Sequence, residues 1–386
     1  MVEFTDILKD SSQRVVLNLI RLHKELSGAE LSRLTGLQPS TIVYILRALK
    51  NKKLIEKKGV GASTNRGGKK PTLWRIRAKS RWCLGLEILP TQIRVIATSI
   101  NDQVGFKESV IIQKGINKKN IIHHVIKIVE PFLKQQSNNL ILTGIGIAIP
   151  GIIETETGNI LYSSSLDLKN FDLVTPLEAA LGIPVIIGND ANAGALALQW
   201  YPDSTKHLYN NKVFIMYNQE AKNLGSGLII NNSLFIGSSG TAGEIFSPLP
   251  NILDLMKEGI RQSDEKSILK QEDTEDTQDL TCLSELAEKG CPASYYVLTA
   301  VCNCIAREMI NITGLINPDL IVLGGDLPKP DYWIKKAILP VVRKEMDSKL
   351  KRGYLIPEIR ASELKEYAVA MGANALILST WLDPKR

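Results

Sequence analysis

The sequence predicts an α/β protein with a small basic helical unit at its N-terminus, and three observations carry that expectation. Residues 29–51 pair two short apolar-striped segments around Gly36. From residue 82 the apolar spacing changes from about 3.6 to extended runs, and the order strand, strand, strand, helix, strand then occurs twice.

In the N-terminal stretch, a helix over 29–35 stops at Gly36, a turn spans 37–39, and a second helix continues to about residue 51. Ile42, Ile45, Leu46 and Leu49 fall at i, i+3, i+4 and i+7, an apolar stripe that must face inward. Ser40, Thr41, Val43, Tyr44 and Arg47 share the other side, near the end of such a helix that meets base edges in a major groove. Any helix pair around a glycine turn in a bundle has the same look. What separates the two readings is the continuation, LIEKKGVGASTNRGGKKPTLWRI. It supplies strands at 54–57 and 72–76 around a Gly-rich loop whose Arg66, Lys69 and Lys70 can reach phosphates, the pattern of a wing. Residues 13–26 give a preceding helix that covers the backs of the other two. The expectation is a winged helix-turn-helix in residues 1–78, bound to double-stranded operator DNA.

Charge agrees. The chain of 386 residues carries +7, while residues 1–77 hold 16 Lys and Arg against 6 Asp and Glu, so the basic excess lies wholly in that segment. No apolar run is long enough to span a bilayer and the first residues lack a signal-peptide pattern, which predicts a cytoplasmic protein with no membrane partner. Five cysteines then read as reduced thiols.

Residues 79–386 carry the duplication. Strands are expected at 83–89, 93–99 and 104–112, a helix at 120–135 and a buried strand at 144–149. The order returns with strands at 213–217, 226–231 and 233–236, a helical region at 284–313 and a strand at 320–323. Two such copies imply two lobes, roughly 79–200 plus the C-terminal helix and 201–360, each a mixed sheet with covering helices. Polar chemistry gathers at strand ends: AIPG ending at Gly151, then GNDANA, in which a carboxylate and two carboxamides sit at a strand-to-helix junction. These can hold the hydroxyls of a polyol, or simply cap the helix. A small-residue loop, GSSGTAGE, leads to Glu244, and the acidic stretch at 263–279 has no apolar face.

In this order the motifs resemble the ROK family (repressors, open reading frames and sugar kinases), in its transcriptional-regulator branch. The resemblance runs from about residue 11 to 381 through LSRLTGLQPSTIVYILRALKNKKLI, GGKKPTL, GIGIAIPGIIETETGNILYSS, LGIPVIIGNDANAGAL, GTAGEI, LINPDLIVLGGDL and MGANAL. It implies a two-lobed actin-like, ribonuclease H-like ATPase fold with a sugar or sugar phosphate as ligand. Position by position, Asp190 matches the family's catalytic base, Asn189 its sugar-contacting neighbour and Glu244 the sugar-binding carboxylate; Gly151, Ser165 and Ser247 stand at further sugar-site positions.

The departures from the family pattern are equally specific. Where kinases of the family carry Asp-x-Gly-Gly-Thr, this chain reads Glu87-Ile88-Leu89-Pro90-Thr91, and the second phosphate loop reads Lys222-Asn223-Leu224-Gly225-Ser226-Gly227. The family's zinc-binding His is Ser247 here and its cysteine run is missing, and Cys282 and Cys291 lack metal-type spacing. The expectation is a sugar-responsive repressor, dimeric or tetrameric, with no catalytic residues, no zinc and no ATP. The rivals are a sugar kinase with an attached DNA-binding unit, and a regulator answering to a protein partner.

Overall fold

The structure is a computed structural model and describes residues 8, 10–60, 70–77, 81–134, 141–154, 156–201, 209–219, 223–247, 249–262, 279–349 and 355–382. The chain forms two compact units. One comprises residues 1–193, 200–202 and 369–386, the other 194–199 and 203–368.

The first unit opens with α1 (Ser11–His23), begun by Asp10, whose carboxylate accepts from the Ser12 N–H at 2.8 Å. Lys24 then turns left-handed at φ 66, so the helix ends three residues short of the expected 26. Leu26 and Ser27 instead form β1 (Leu26–Ser27), which pairs with Trp74 and Leu73. Ser27 also starts α2 (Gly28–Thr35) with a reciprocal capping box to Glu30. Gly36 at φ 72 closes α2, as the sequence requires, and α3 (Pro39–Asn51) has Pro at its first position. Ile42, Ile45, Leu46 and Leu49 are buried, as are Val16, Leu17 and Ile20 of α1. β2 (Ile55–Val60) and β3 (Thr72–Ile76) complete a three-stranded sheet of order β1-β3-β2, with an irregularity between Lys57 and Gly59. Strand β2 therefore runs three residues past the expected 57.

Next come β4 (Arg81–Ile88), β5 (Gln92–Ser99), β6 (Val104–Ile111), α4 (Ile121–Lys134) and β7 (Ile141–Ile149). The sequence patterns place these within three residues at every end. A small sheet of β8 (Ile152–Ile153), β9 (Ile160–Ser163) and β10 (Leu168–Phe171), and α5 (Val174–Leu181), were not anticipated. Strand β11 (Val185–Asn189) leads directly into α6 (Asp190–Trp200). The main sheet has order β11-β7-β4-β5-β6, with β11, β7 and β4 parallel and β5 and β6 antiparallel.

The second unit contains β12 (Lys212–Asn218), β13 (Asn223–Ile230), β14 (Ser233–Phe235), α7 (Ile252–Gln262), α8 (Leu280–Glu288), α9 (Pro292–Ile316) and β15 (Leu320–Gly325). The expected single helical region is thus two helices, broken where Gly290 takes φ 88 and Pro292 begins α9. A continuous helical stretch follows: α10 (Pro330–Trp333), a π-turn over Ile334–Ile338 and α11 (Leu339–Lys349); β16 (Glu358–Ala361) ends the unit's sheet. That sheet has order β14-β13-β12-β15-β16, again an antiparallel meander followed by parallel strands. The two sheets share one topology, so the duplication read from the sequence is present in the strand order.

The last helix, α12 (Ala368–Leu382), packs within the first unit and is buried over nearly its whole length. Its small residues allow this. A Cβ at Gly146 of β7 would lie 1.7 Å from the Ala373 carbonyl oxygen, and one at Gly372 would lie 1.6 Å from that of Ala193 on α6. Asn374 adds hydrogen bonds to the Cys83 carbonyl at 3.1 Å and to Thr98 Oγ1 at 2.7 Å. The helix therefore fixes α6 and the sheet edge from which the candidate polar residues project.

Candidate functional site

The N-terminal candidates all lie on one exposed helical face. Ser40, Thr41 and Arg47 are exposed, and so are Val43 at 55% and Tyr44 at 67%, against complete or nearly complete burial of the opposite stripe. Lys70 is exposed; Arg66 and Lys69 lie outside the described residues. Val43 and Tyr44, exposed beside the buried stripe, leave a surface able to contact base edges and thymine methyls.

The polyol candidates of the first unit meet where β7 and β11 end and α6 begins. These strands are parallel neighbours, with Asn189 paired to Ile149, so the segment after β7 comes beside the segment after β11. The Asn189 amide donates to the Gly151 carbonyl at 3.0 Å, while its Oδ1 accepts from the Asn192 N–H at 3.0 Å. Asn189 is thus a true helix cap, and the same side chain ties the two strand ends together. Asp190, buried, accepts from the Ala191 N–H at 2.8 Å. Gly151 is needed as glycine: its φ is 141°, and a Cβ there would meet the Tyr162 carbonyl oxygen at 2.4 Å and Ser163 Cβ at 3.0 Å.

Three polar atoms in this part of the fold are buried without a hydrogen-bond partner: Ser163 Oγ, Ser165 Oγ and Asn192 Oδ1. Buried polar atoms ordinarily have partners, so these three are candidates for a contact the protein itself does not supply. Ser165 was expected from the sequence. Asn192 belonged to the stretch singled out there, but Ser163 carried no signal beyond its place in a serine run.

The remaining two candidates, Glu244 and Ser247, belong to the second unit and are exposed. Glu244 forms an isolated antiparallel bridge to Gly225 of β13, and Ser226 Oγ donates to the Gly243 carbonyl at 2.6 Å, which holds the small-residue loop to the sheet. Partial desolvation raises the Glu244 carboxyl above the ordinary carboxylate value. Residues 223–227, expected as a degraded phosphate loop, are part of β13; Lys222 lies outside the described residues. The acidic run at 263–278 does too.

Residues 87–90, expected as a departure from the first phosphate loop, have local partners. Glu87 is 1% exposed and pairs with Arg94 at 3.1 Å across adjacent strands. Leu89 is buried and spends its N–H on the Gln92 carbonyl at 2.9 Å, and Pro90 has no N–H to give. Among the described residues no three His, Cys, Asp or Glu side chains form a group able to hold a metal, and no helix is long and apolar enough to cross a membrane. The cysteines are unpaired by disulfides, and burial pushes the Cys83 and Cys302 thiols up to about 12.

Paired mixed sheets of one topology, with polar side chains at the strand-to-helix junction, define an α/β protein of sugar-kinase-like fold. The chain belongs to the ROK family, whose pattern matches residues 83–246 and 257–380. It is similar to the xylose repressor of Caldicellulosiruptor bescii, with 25% identity over 401 residues covering 98% of each chain. It is also similar to the N-acetylglucosamine repressor of Escherichia coli O157:H7, with 21% identity over 407 residues, 98% of this chain and 95% of the repressor. Among solved structures, a ROK family transcriptional regulator described as a homolog of the E. coli MLC protein superposes with a TM-score of 0.74 at 19% identity, over 97% of this chain and 98% of that one. A ROK family glucokinase from Streptomyces griseus, in complex with glucose and AMPPNP, superposes with a TM-score of 0.60 at 17% identity, over 76% of this chain and 98% of that one.

Proposed function

We propose that this protein is a sugar-responsive transcriptional repressor of carbohydrate-utilisation genes. Residues 1–78 act as a winged helix-turn-helix and residues 79–386 as a catalytically silent, two-lobed actin-like ligand domain. The observation that carries the reading is the exposed face of α3, where Val43 and Tyr44 stand in water beside Ser40, Thr41 and Arg47. Arg47 reads a base edge; Arg66, Lys69 and Lys70 of the wing contact phosphate or the minor groove. The partner is double-stranded operator DNA, bound by a homodimer or homotetramer whose two-fold symmetry matches a palindromic site. The full-length repressor relatives support this division of labour.

The effector is a sugar or sugar phosphate held by Gly151, Ser165, Asn189, Asp190, Glu244 and Ser247. Ser163 and Asn192 join that set because their polar atoms are buried and unpartnered. An effector that prefers one arrangement of the protein shifts the population and with it DNA affinity. Phosphoryl transfer is not part of the proposal: the Glu87–Arg94 pair occupies the carboxylate that a magnesium-nucleotide site would need, and the Leu89-Pro90 turn presents no glycine cradle.

Thermal unfolding of the full chain against D-xylose, D-glucose, N-acetyl-D-glucosamine and their phosphates, each with and without Mg-ATP, tests both halves. A midpoint raised by one sugar and indifferent to Mg-ATP is expected. A rise with Mg-ATP would replace the sensor by a kinase, and no rise with any sugar would favour control by a protein partner. For the DNA half, Arg47→Ala should weaken binding to a selected DNA site by about 1–3 kcal/mol, measured by anisotropy titration; unchanged affinity removes Arg47 from the interface.

A further inference from the structure

Arg21, near the end of α1, is an arginine with a side chain that is 0% exposed. Its Nε and Nη2 donate to Asp102 Oδ1 at 3.0 and 2.6 Å, and Nη2 also donates to the Trp200 carbonyl at 2.6 Å. The guanidinium lies 5.3 Å from the Trp200 ring centre and 5.9 Å from that of Tyr201. Lys24 takes the other oxygen of Asp102 at 3.0 Å. Asp102 is held in the turn between β5 and β6 with left-handed φ 71, and its N–H donates to the Ser99 carbonyl at 3.0 Å. Burying a guanidinium is expensive unless its donors are satisfied, and here they are shared among the Asp102 carboxylate, the Trp200 carbonyl at the end of α6 and, from Nη1 at 3.5 Å, Asn18 Oδ1.

The position of that carbonyl is what gives the contact meaning. Trp200 is the last residue of α6 and Asp190 the first, so one helix of 11 residues, about 16 Å long, has the Asn189–Asp190 cap at one end and the Arg21 acceptor at the other. A helix C-terminus leaves carbonyls without intrahelical donors, and a cation there is favoured by the helix dipole. On its other side Arg21 belongs to α1, whose Leu17 and Ile20 are buried alongside the inward stripe of α3. A further bond from Lys52 Nζ to Gln13 Oε1 at 2.9 Å ties the end of α3 to the start of α1.

We infer that Arg21 is a positioning residue that couples the Asn189 end of α6 to the DNA-reading helix α3. An axial slide or rotation of α6, set by what occupies its N-terminal end, displaces the Trp200 carbonyl; Arg21 follows it and carries α1 and α3 along. The inference rests on the reading that Asn189 and Asp190 receive the effector and that α3 reads DNA, but its test uses neither sugar nor DNA and so fails or stands separately.

The test is amide hydrogen exchange by mass spectrometry on the full chain, with Asn189→Ala as the perturbation at the far end of α6. In the wild-type background, exchange in α1 and α3 should rise about fivefold or more, beyond any change in β4 and β5, which report loss of stability of the same unit. In an Arg21→Lys background, which keeps the charge but loses the fork, Asn189→Ala should raise exchange in α6 alone. Asp102→Asn provides a second background that leaves Arg21 in place and should give the same result. The inference is overturned if α1 and α3 ignore Asn189→Ala in the wild-type background, or respond equally when Arg21 is lysine. Loss of the sugar-induced midpoint shift on Asn189→Ala, measured apart, reports on the sugar reading alone.

Discussion

Replacing Gly151 by alanine should damage both the stability of the first unit and its polyol residues. At φ 141° an L-residue is strained by about 1–3 kcal/mol. The new Cβ would lie 2.4 Å from the Tyr162 carbonyl oxygen and 3.0 Å from Ser163 Cβ, where ordinary contact begins near 3.4 Å. Strand β9 must therefore retreat by up to the 1 Å that separates these values, and overpacking of this size costs about 1–3 kcal/mol. Against this, alanine narrows the unfolded ensemble and returns about 0.4–1 kcal/mol. The net expectation is a loss of about 1–6 kcal/mol. The retreat also moves Ser163 and the Gly151 carbonyl that receives the Asn189 amide. Urea unfolding gives the first quantity, from a midpoint shift at unchanged slope, and sugar-dependent thermal shift gives the second. A stability within about 0.5 kcal/mol of wild type, the level of an ordinary surface substitution, would refute the geometry argued for this strand end.

The other predictions concern roles that one side chain or one pair combines. Asn189→Ser keeps an acceptor for the Asn192 N–H but removes the donor to Gly151, so it should retain the melting temperature within a degree or two that a few tenths of a kcal/mol imply while losing the sugar shift; Asn189→Ala should lose the cap as well, at about 1 kcal/mol. Arg94→Met leaves the Glu87 carboxylate buried beside a thioether and should destabilise by about 3–5 kcal/mol in urea unfolding, and an unchanged midpoint would mean the pair is not buried as described. The thiols of Cys83 and Cys302 are pushed up from 9.0 to about 12 because burial penalises the thiolate. Their folded pKa is raised, so the stability they lend is complete below pH 9 and is lost as pH climbs from there toward 12. Native protein at pH 8 should accordingly leave both unlabelled by a disulfide reagent, as read by peptide mass; rapid labelling of either would contradict the burial.

Local chemistry decided which of these features the sequence disclosed. Gly36 and the stripe of α3 announce themselves because a left-handed stop and a 3.6 period are each written in neighbouring residues, whereas Pro39, expected in the turn, is the first residue of α3. The duplicated sheets were legible for the same reason, since each meander is joined by short turns. The small sheet β8-β9-β10 was not, because strands of two to four residues are too short to show a period. Leu26 was lost to the helix for a different reason. Its apolarity fits either element, and only pairing with Trp74, 48 positions away, makes it a strand. The site divides likewise. Asn189 and Asp190 stand in one motif, whereas Ser163 acquires significance only from the burial of its hydroxyl, and Arg21 only from partners 81 and 179 residues away.

The strand-to-helix junction at Asn189 and the residues at the first expected phosphate loop differ in how much of the fold depends on them. A phosphate loop is a backbone device that needs free amides; here the Leu89 N–H is spent on the Gln92 carbonyl and Pro90 has none to offer. The junction at the start of α6 depends on side chains with a structural task. Asn189 both closes α6 and ties the β7 and β11 ends, and Asp190 begins the same helix. Loss of the junction would release α6 at the end opposite Arg21. Asn189 and Asp190 thus serve the fold independently of any ligand, and that structural task alone accounts for a carboxamide and a carboxylate at the start of α6.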